Sequence, residues 1–274
     1  MLLATSCSST SQRKRSEVKQ QPSSPNQVSG KILVSAAASL RLTFSQLSKA
    51  FMQANPQAEI TLNFASSGQL AQQIKQGAPA QIVAFADTAP MTELSDAGLI
   101  VEPAQIFAMN QLAIVVKPIG KAKATGSARP KNSTQVSSLR DLANVKTVSL
   151  CVVTAPCGKY AEQALAAVGV SIKESEITRG PDASATLRAV TQGDADAGIV
   201  YLTDALAAQG NPTTSRQVVS VPIEAKYNIF STYPIAKIAE GTDTSNLALA
   251  DAFMQYVLSS AGQKVLSEAG FSSP

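Results

Sequence analysis

The sequence contains no histidine and no tryptophan, and aromatic residues make up only 5% of its 274 positions. Without histidine there is no Ser-His-Asp or Cys-His nucleophile system, no histidine-dependent zinc site and no 2-His-1-carboxylate iron centre. With so few rings, stacking platforms for bases or sugars are not expected. Charge is sparse as well, at 15% of residues, and the net charge of +4 is unevenly placed. Arg13, Lys14, Arg15 and Lys19 against Glu17 give the first 30 residues +3, which leaves +1 for the body. The body therefore lacks the basic face that nucleic acid demands. No stretch approaches the ~18 continuous apolar residues of a membrane span.

What the chain does have is 45% apolar residues, enough to bury a sizeable core. Residues 1–29, rich in Ser, Gln and Pro, stand apart from it as a leader or tether. Within them, Leu2 to Cys7 resembles the end of a bacterial lipoprotein signal, although fewer residues precede Cys7 than such a signal requires. Two readings stay open there, a lipid anchor at Cys7 and a plain tail. Cys151 and Cys157 also carry two readings: a short disulfide-closed loop, or two small, partly buried thiols.

From Ser29 onward, short β-branched runs alternate with amphipathic stretches, the pattern of α/β units around a mostly parallel sheet. Strands are expected at Lys31 to Val34, Ile60 to Phe64, Gln81 to Phe85 and Asn110 to Val116. Helices are expected from Leu40 to Ala54, with Leu40, Phe44, Leu47 and Phe51 at helical spacing, and from Gln69 to Gln76. After a polar insertion over 119–138 the plan restarts, with strands at Val145 to Val152 and Ala197 to Tyr201 and helices at Gly158 to Val168 and Asp182 to Thr191. Phe230 to Ile238 reads as a last strand, and the two terminal helices have no sheet of their own and are expected to return to the first half. The chain thus builds two lobes, 30–110 with 226–274 and 111–225, and crosses between them near Gln111 and again over Pro222 to Asn228.

Ligands of open α/β sheets bind at the carboxyl ends of strands. Four small-residue loops lie there: Ala36 to Ser39, Ala65 to Gly68, Ala155 to Gly158 and Gly180 to Ala183. Each opens a helix, so each offers unpaired N–H groups and the positive end of a macrodipole. Ser39 and Ser67 add hydroxyls, Tyr201 ends a strand within reach of the same cleft, and no Lys or Arg stands in the loops. Taken singly, each serine reads as a helix cap. Taken together, the four loops read as an anion site built of neutral donors. Asp182 reads as an N-cap that does not face the cleft.

The ordered set AAASL (Ala36 to Leu40), FASSGQLAQQI (Phe64 to Ile74), GAPAQIVAFAD (Gly77 to Asp87), GIVY (Gly198 to Tyr201) and the terminal KVLSEAGF resembles the periplasmic molybdate-binding proteins of bacterial ABC importers. The resemblance implies a two-lobed type II periplasmic-binding-protein fold and a site for molybdate or tungstate. In that site Ser39 and Ser67 give hydroxyl and backbone donors, Cys157 and Ala183 give backbone N–H groups, and Tyr201 gives a phenol O–H. It implies a permease with its ATPase as partner and a place in the periplasm or on the outer face of the cytoplasmic membrane. The metal enters only as its oxyanion, with no direct metal ligand, no cofactor and no catalytic residue, and the protein is read as a monomer that binds no nucleic acid.

Three other readings compete. One is a binding protein for sulfate or phosphate, which an inward-facing Asp182 would favour. Another is a transferase with Ser39 or Cys157 as nucleophile; it lacks a base, because Lys159 is expected to point off the far side of its helix. The third is the effector half of a transcription regulator, for which no DNA-binding element is present.

Overall fold

The computed structural model describes residues 28–117, 136–210, 218–239 and 244–274; the leader with Cys7 and most of the polar insertion over 119–138 lie outside these. The first cycle consists of β1 (Gly30–Ala37), α1 (Arg41–Ala54), β2 (Ala58–Ala65), α2 (Ser67–Lys75), β3 (Ile82–Ala84) and α3 (Thr88–Asp96), and leads into β4 (Gln105–Val116). The second consists of β5 (Val148–Cys151), α4 (Pro156–Ala167), β6 (Ile177–Gly180), α5 (Ala183–Gln192), β7 (Ala197–Tyr201), α6 (Leu202–Gly210) and β8 (Val219–Pro222). The chain then returns through β9 (Phe230–Lys237) and ends in α7 (Thr244–Leu258) and α8 (Ser260–Glu268).

The strands run in the order β2-β1-β3-β9-β4-β7-β5-β6, with β8 also on β4. Within each cycle the pairing is parallel: β1 lies between β2 and β3, and β5 between β6 and β7. Such strands are covered on both faces and read as continuous apolar runs, as in the wholly buried Val148–Cys151. Every antiparallel pairing involves β4 or β9, the strands that join the two halves. β4 pairs with β9 as far as Gln111 and with β7 from Leu112 onward, so the chain passes from one lobe to the other inside a single strand. This strand starts at Gln105, five residues before the expected Asn110, because residues 105–109 add to the edge of β9. The return passage is the segment between β8 and β9.

The terminal helices pack on the first lobe, α7 beside β1 and α8 beside α1. Their anchor is aromatic. Phe44 of α1, wholly buried, meets Phe107 of β4 and Phe253 of α7 edge-on, at ring-centroid distances of 5.8 and 6.3 Å. Edge-on pairs add to plain area burial, and three elements distant in sequence share this one ring. Phe44→Ala is expected to cost about 3–5 kcal/mol of unfolding free energy, measured by urea denaturation. A loss within error of zero would show that the terminal helices are held elsewhere.

Candidate functional site

The strand ends of both lobes open onto one cavity. From the first lobe it is lined by Ala37, Ala38 and Ser39 after β1, by Ser66 and Ser67 after β2, and by Ala86 after β3. From the second it is lined by Pro156 and Cys157 at the start of α4, by Asp182 and Ala183 at the start of α5, and by Tyr201 at the end of β7. The structure thus brings Ser39, Ser67, Cys157, Ala183 and Tyr201 to one place, from loops as far apart as 162 positions in sequence. Its walls bound about 220 Å³, open solvent included, and most of the side chains that line it are small. The space suits a small inorganic ion.

The lining contains no lysine or arginine. Its positive character comes from the backbone. α2, α4 and α5 all begin at the cavity, and the first N–H groups of a helix have no partner inside it. Ser66 caps α2 in a reciprocal capping box with Gln69, which leaves its neighbour Ser67 free for other work. Ser67 Oγ accepts from the Ala86 N–H at 2.9 Å, so its own proton remains for another acceptor. Small residues let the helix starts come close. A Cβ on Gly158 would lie 2.1 Å from the Val152 carbonyl oxygen, so α4 sits directly on the end of β5. One on Gly68 would lie 2.9 Å from the Thr154 carbonyl oxygen, across the cleft.

Tyr201 is 2% exposed, and its hydroxyl has no hydrogen-bond partner. Ser231 and Tyr233 stand beside it but make no hydrogen bond of acceptable geometry to it. Burial, with the electrostatic interaction with Tyr233 second, drives its ionisation far above the usual phenol range, so it remains a proton donor. A buried hydroxyl without a partner costs about 1–3 kcal/mol, a debt that an acceptor in the cavity would cancel. Asp182 lines the same cavity, against the expectation that it stays clear of the cleft, because the start of α5 that it caps is itself at the cavity; its Oδ1 accepts from the Ala185 N–H at 2.8 Å, the capping role its position predicts.

Two features differ from the sequence reading or resolve its alternatives. Cys151 and Cys157 form a disulfide, so the thiol reading is not realised and the first turn of α4 is tied covalently to the end of β5. Lys159 does not point away from the cleft. Its Nζ donates to Asp87 Oδ2 at 2.9 Å, and Asp87 Oδ1 caps α3 in the first lobe. The reason is that the lobes face each other directly at this point, and a long side chain on the first turn of α4 spans the gap.

Neither Asp204 nor the polar cluster behind Ser39 is among the residues expected from the sequence. Asp204, in the first turn of α6, is buried, and its Oδ2 has no partner. Burial, reinforced by the charge of Asp182, pushes its pKa up to about 7. Ser39 Oγ lies 2.9 Å from Tyr233 Oη, which in turn accepts from Asn110 Nδ2 at 3.3 Å. No local pattern marks such residues, because their partners are brought in from the opposite end of the chain.

Fold and cavity together define a two-lobed binding protein whose cavity between the halves is lined by small residues and hydroxyls with no basic side chain. A model of the bacterial extracellular solute-binding protein family matches residues 32–272. The chain belongs to that family. It is 32% identical over 254 residues to the molybdate-binding protein ModA of Mycobacterium bovis, covering 92% of this chain and 88% of that one. Among solved structures, the periplasmic molybdate-binding protein of Azotobacter vinelandii superposes with a TM-score of 0.72 at 19% identity, covering 89% of this chain and 99% of that one. The sulfate-binding protein SubI of Mycobacterium tuberculosis superposes with the same TM-score of 0.72 at 18% identity, covering 89% and 86%. These two likenesses establish the type II fold and leave the choice of anion to the site.

Two measurements test this description. Cys151→Ala/Cys157→Ala is expected to lower unfolding free energy by about 2 kcal/mol, the chain-entropy value for so short a loop, in denaturation under non-reducing conditions. Equal stability of variant and parent would mean that the bond constrains nothing. Asp204 holds its proton in the folded chain up to about pH 7, against 3.8 ordinarily. Its contribution to stability is therefore complete below the lower value and lost as pH rises through the upper one. Asp204→Asn is expected to flatten the fall in stability across that window, and denaturation profiles that keep the parent's slope would contradict the assignment.

Proposed function

We propose that the chain is an extracytoplasmic binding protein that captures molybdate or tungstate between its lobes and delivers it to an ABC importer. The reading rests on one observation above all: hydroxyl and backbone donors from both lobes converge on a small cavity that has no basic side chain. The similarity to a molybdate-binding protein across most of the chain supports the same ligand.

A tetrahedral dianion suits this donor set. All four of its oxygens accept hydrogen bonds and none carries a proton, so a cage of N–H and O–H donors meets every one of its needs. In the proposed site Ser39 and Ser67 donate from the first lobe, Cys157 and Ala183 donate backbone N–H groups from the second, and Tyr201 donates its phenol. Closure follows from geometry, because only the closed arrangement presents donors from both halves and the ion stabilises that state by its differential contacts. The closed shape is then what a permease with its ATPase reads. Hydrogen phosphate brings a proton of its own, and the carboxylate that lines the cavity, Asp182, is engaged through Oδ1 in the cap of α5, so in this reading that proton lacks a good acceptor and the unpaired group disfavours it.

The site is suited to binding and not to covalent chemistry. Cys157 Sγ is committed to the disulfide, and Ser39 Oγ contacts a buried phenol where a nucleophile would need a base. The protein acts without a cofactor, as a monomer in the periplasm or on the outer face of the cytoplasmic membrane. Cys7 is the residue a lipid anchor would use.

Calorimetric titration of the purified protein with molybdate, tungstate, sulfate and hydrogen phosphate decides the matter. Tight binding of the first two and weak or no binding of the others is expected. Ser67→Ala and Tyr201→Phe are each expected to weaken molybdate binding roughly tenfold, the range for one hydrogen bond to a charged group. Preference for sulfate would move the chain to a different anion on the same fold, and unchanged affinity in both variants would misplace the site.

A further inference from the structure

Behind Ser39 lies a buried chain of polar groups that the proposed ligand does not touch. Asn110 stands where β4 leaves β9 for β7. Its Oδ1 accepts from the Gln111 N–H at 2.9 Å, which orients the amide. The Nδ2 group then faces two oxygens, Thr203 Oγ1 at 2.9 Å and Tyr233 Oη at 3.3 Å. Asn110, at 2% exposed, and Tyr233, fully buried, are shielded from water. The remaining contact of the Tyr233 hydroxyl is Ser39 Oγ at 2.9 Å, a pair in which distance alone leaves the donor open.

The rest of the cluster settles the direction. Tyr233 Oη already accepts from Asn110, and its one remaining hydrogen bond among the described residues is to Ser39 Oγ, the Tyr201 hydroxyl beside it making none. If Ser39 donated instead, the Tyr233 proton would be buried without a partner, at the cost such groups carry. Tyr233 therefore donates to Ser39, and the Ser39 proton is left to face the cavity that Ser39 lines. Ser67 is held in the same sense by the Ala86 N–H.

We propose that Asn110 and Tyr233 are positioning residues that fix the polarity of Ser39, so that this hydroxyl meets the bound oxyanion as a donor. The proposal rests on the oxyanion reading above and adds to it the reason why Ser39 is an effective ligand. It also links the site to the hinge, because the amide that starts the relay holds Thr203 of α6 with its other hydrogen. A serine without this support would rotate freely and would have to lose that freedom on binding.

The test is a double-mutant cycle read by calorimetry with molybdate. Tyr233→Phe, which keeps the ring, is expected to weaken binding roughly 3- to 10-fold, the worth of one polarised hydrogen bond. Ser39→Ala is expected to weaken it at least as much. In the Ser39→Ala background, Tyr233→Phe should have no further effect beyond about twofold, because the residue acts only through the serine. Asn110→Leu provides a second arm should Tyr233→Phe fold poorly: it should weaken binding in the Ser39 protein and not in the Ser39→Ala protein. Melting temperatures separate loss of fold from loss of affinity. Penalties that simply add, or a Tyr233→Phe protein that binds as the parent does, would overturn the relay. Should the parent bind sulfate or hydrogen phosphate in place of molybdate, the ligand reading fails while the same cycle, run with that ion, still judges the relay. A parent that binds no oxyanion overturns both.

Discussion

A buried hydroxyl with no acceptor is the constraint around which the molecule is arranged. The Tyr201 hydroxyl is shut away from water at the meeting of the lobes and makes no hydrogen bond among the described residues. Native structures rarely tolerate this, and where they do the cause is usually functional. The strand order explains how it arises. β7 joins the second lobe to β4, and Tyr201 pairs with Leu112, one position past the point where β4 changes partners. The phenol therefore sits at the crossing point, with its ring 6.0 Å from that of Tyr233 on the other lobe. A group at this place feels both halves at once, which is why it suits a protein whose ligand must couple them.

Charge explains why the cage is neutral. A lysine or arginine in the cavity would hold any anion, including chloride and phosphate, whereas backbone dipoles and hydroxyls act at short range and only at fixed positions. The same economy brings a hazard, because nearby carboxylates are not neutralised by a counter-ion. The structure handles the two nearest in different ways. Asp182 commits an oxygen to the cap of α5, while Asp204 is buried far enough to keep its proton to about pH 7. Burial of Asp204 reduces the negative charge that a bound dianion would meet, whereas the cap on Asp182 only fixes where its carboxylate lies. Lys159, on the first turn of α4, is engaged by Asp87 across the cleft and so contributes to holding the lobes together.

The limits of reading the sequence follow from the range of each interaction. Strands such as Ala197–Tyr201 and helices such as Arg41–Ala54 were legible because their patterns repeat over a few residues. The loops that line the cavity were legible for a related reason, since small residues followed by a helix start form a local signature. The helix Thr88–Asp96 was not seen, being short, with a proline in its first turn and few apolar positions. Nor was the extension of β4, which owes its existence to an edge supplied by β9. Ser39 could be named as a ligand, but not Tyr233, which lies 194 positions away and meets it only in the folded chain. Lys159 was misjudged because its direction depends on Asp87, 72 positions back and in the other lobe. What eluded the sequence is therefore what holds the site in place.

That supporting set bears on the hardest task assigned to such a cavity, telling molybdate from sulfate. The two ions share charge and tetrahedral shape and differ mainly in radius, so a compliant cage would accept both. Discrimination by size requires donors that do not follow the ion inward. Three of the five proposed donors have a restraint of their own: Ser67 through Ala86, Ser39 through Tyr233 and Asn110, and Cys157 at the start of α4 through the disulfide and the close seat of Gly158. Restraints of this kind lower the entropy lost on binding and raise the cost of contraction around a smaller ion. Donors of this kind are available to many folds, and under the proposed function selectivity by size in this one rests on the shell that prevents them from moving.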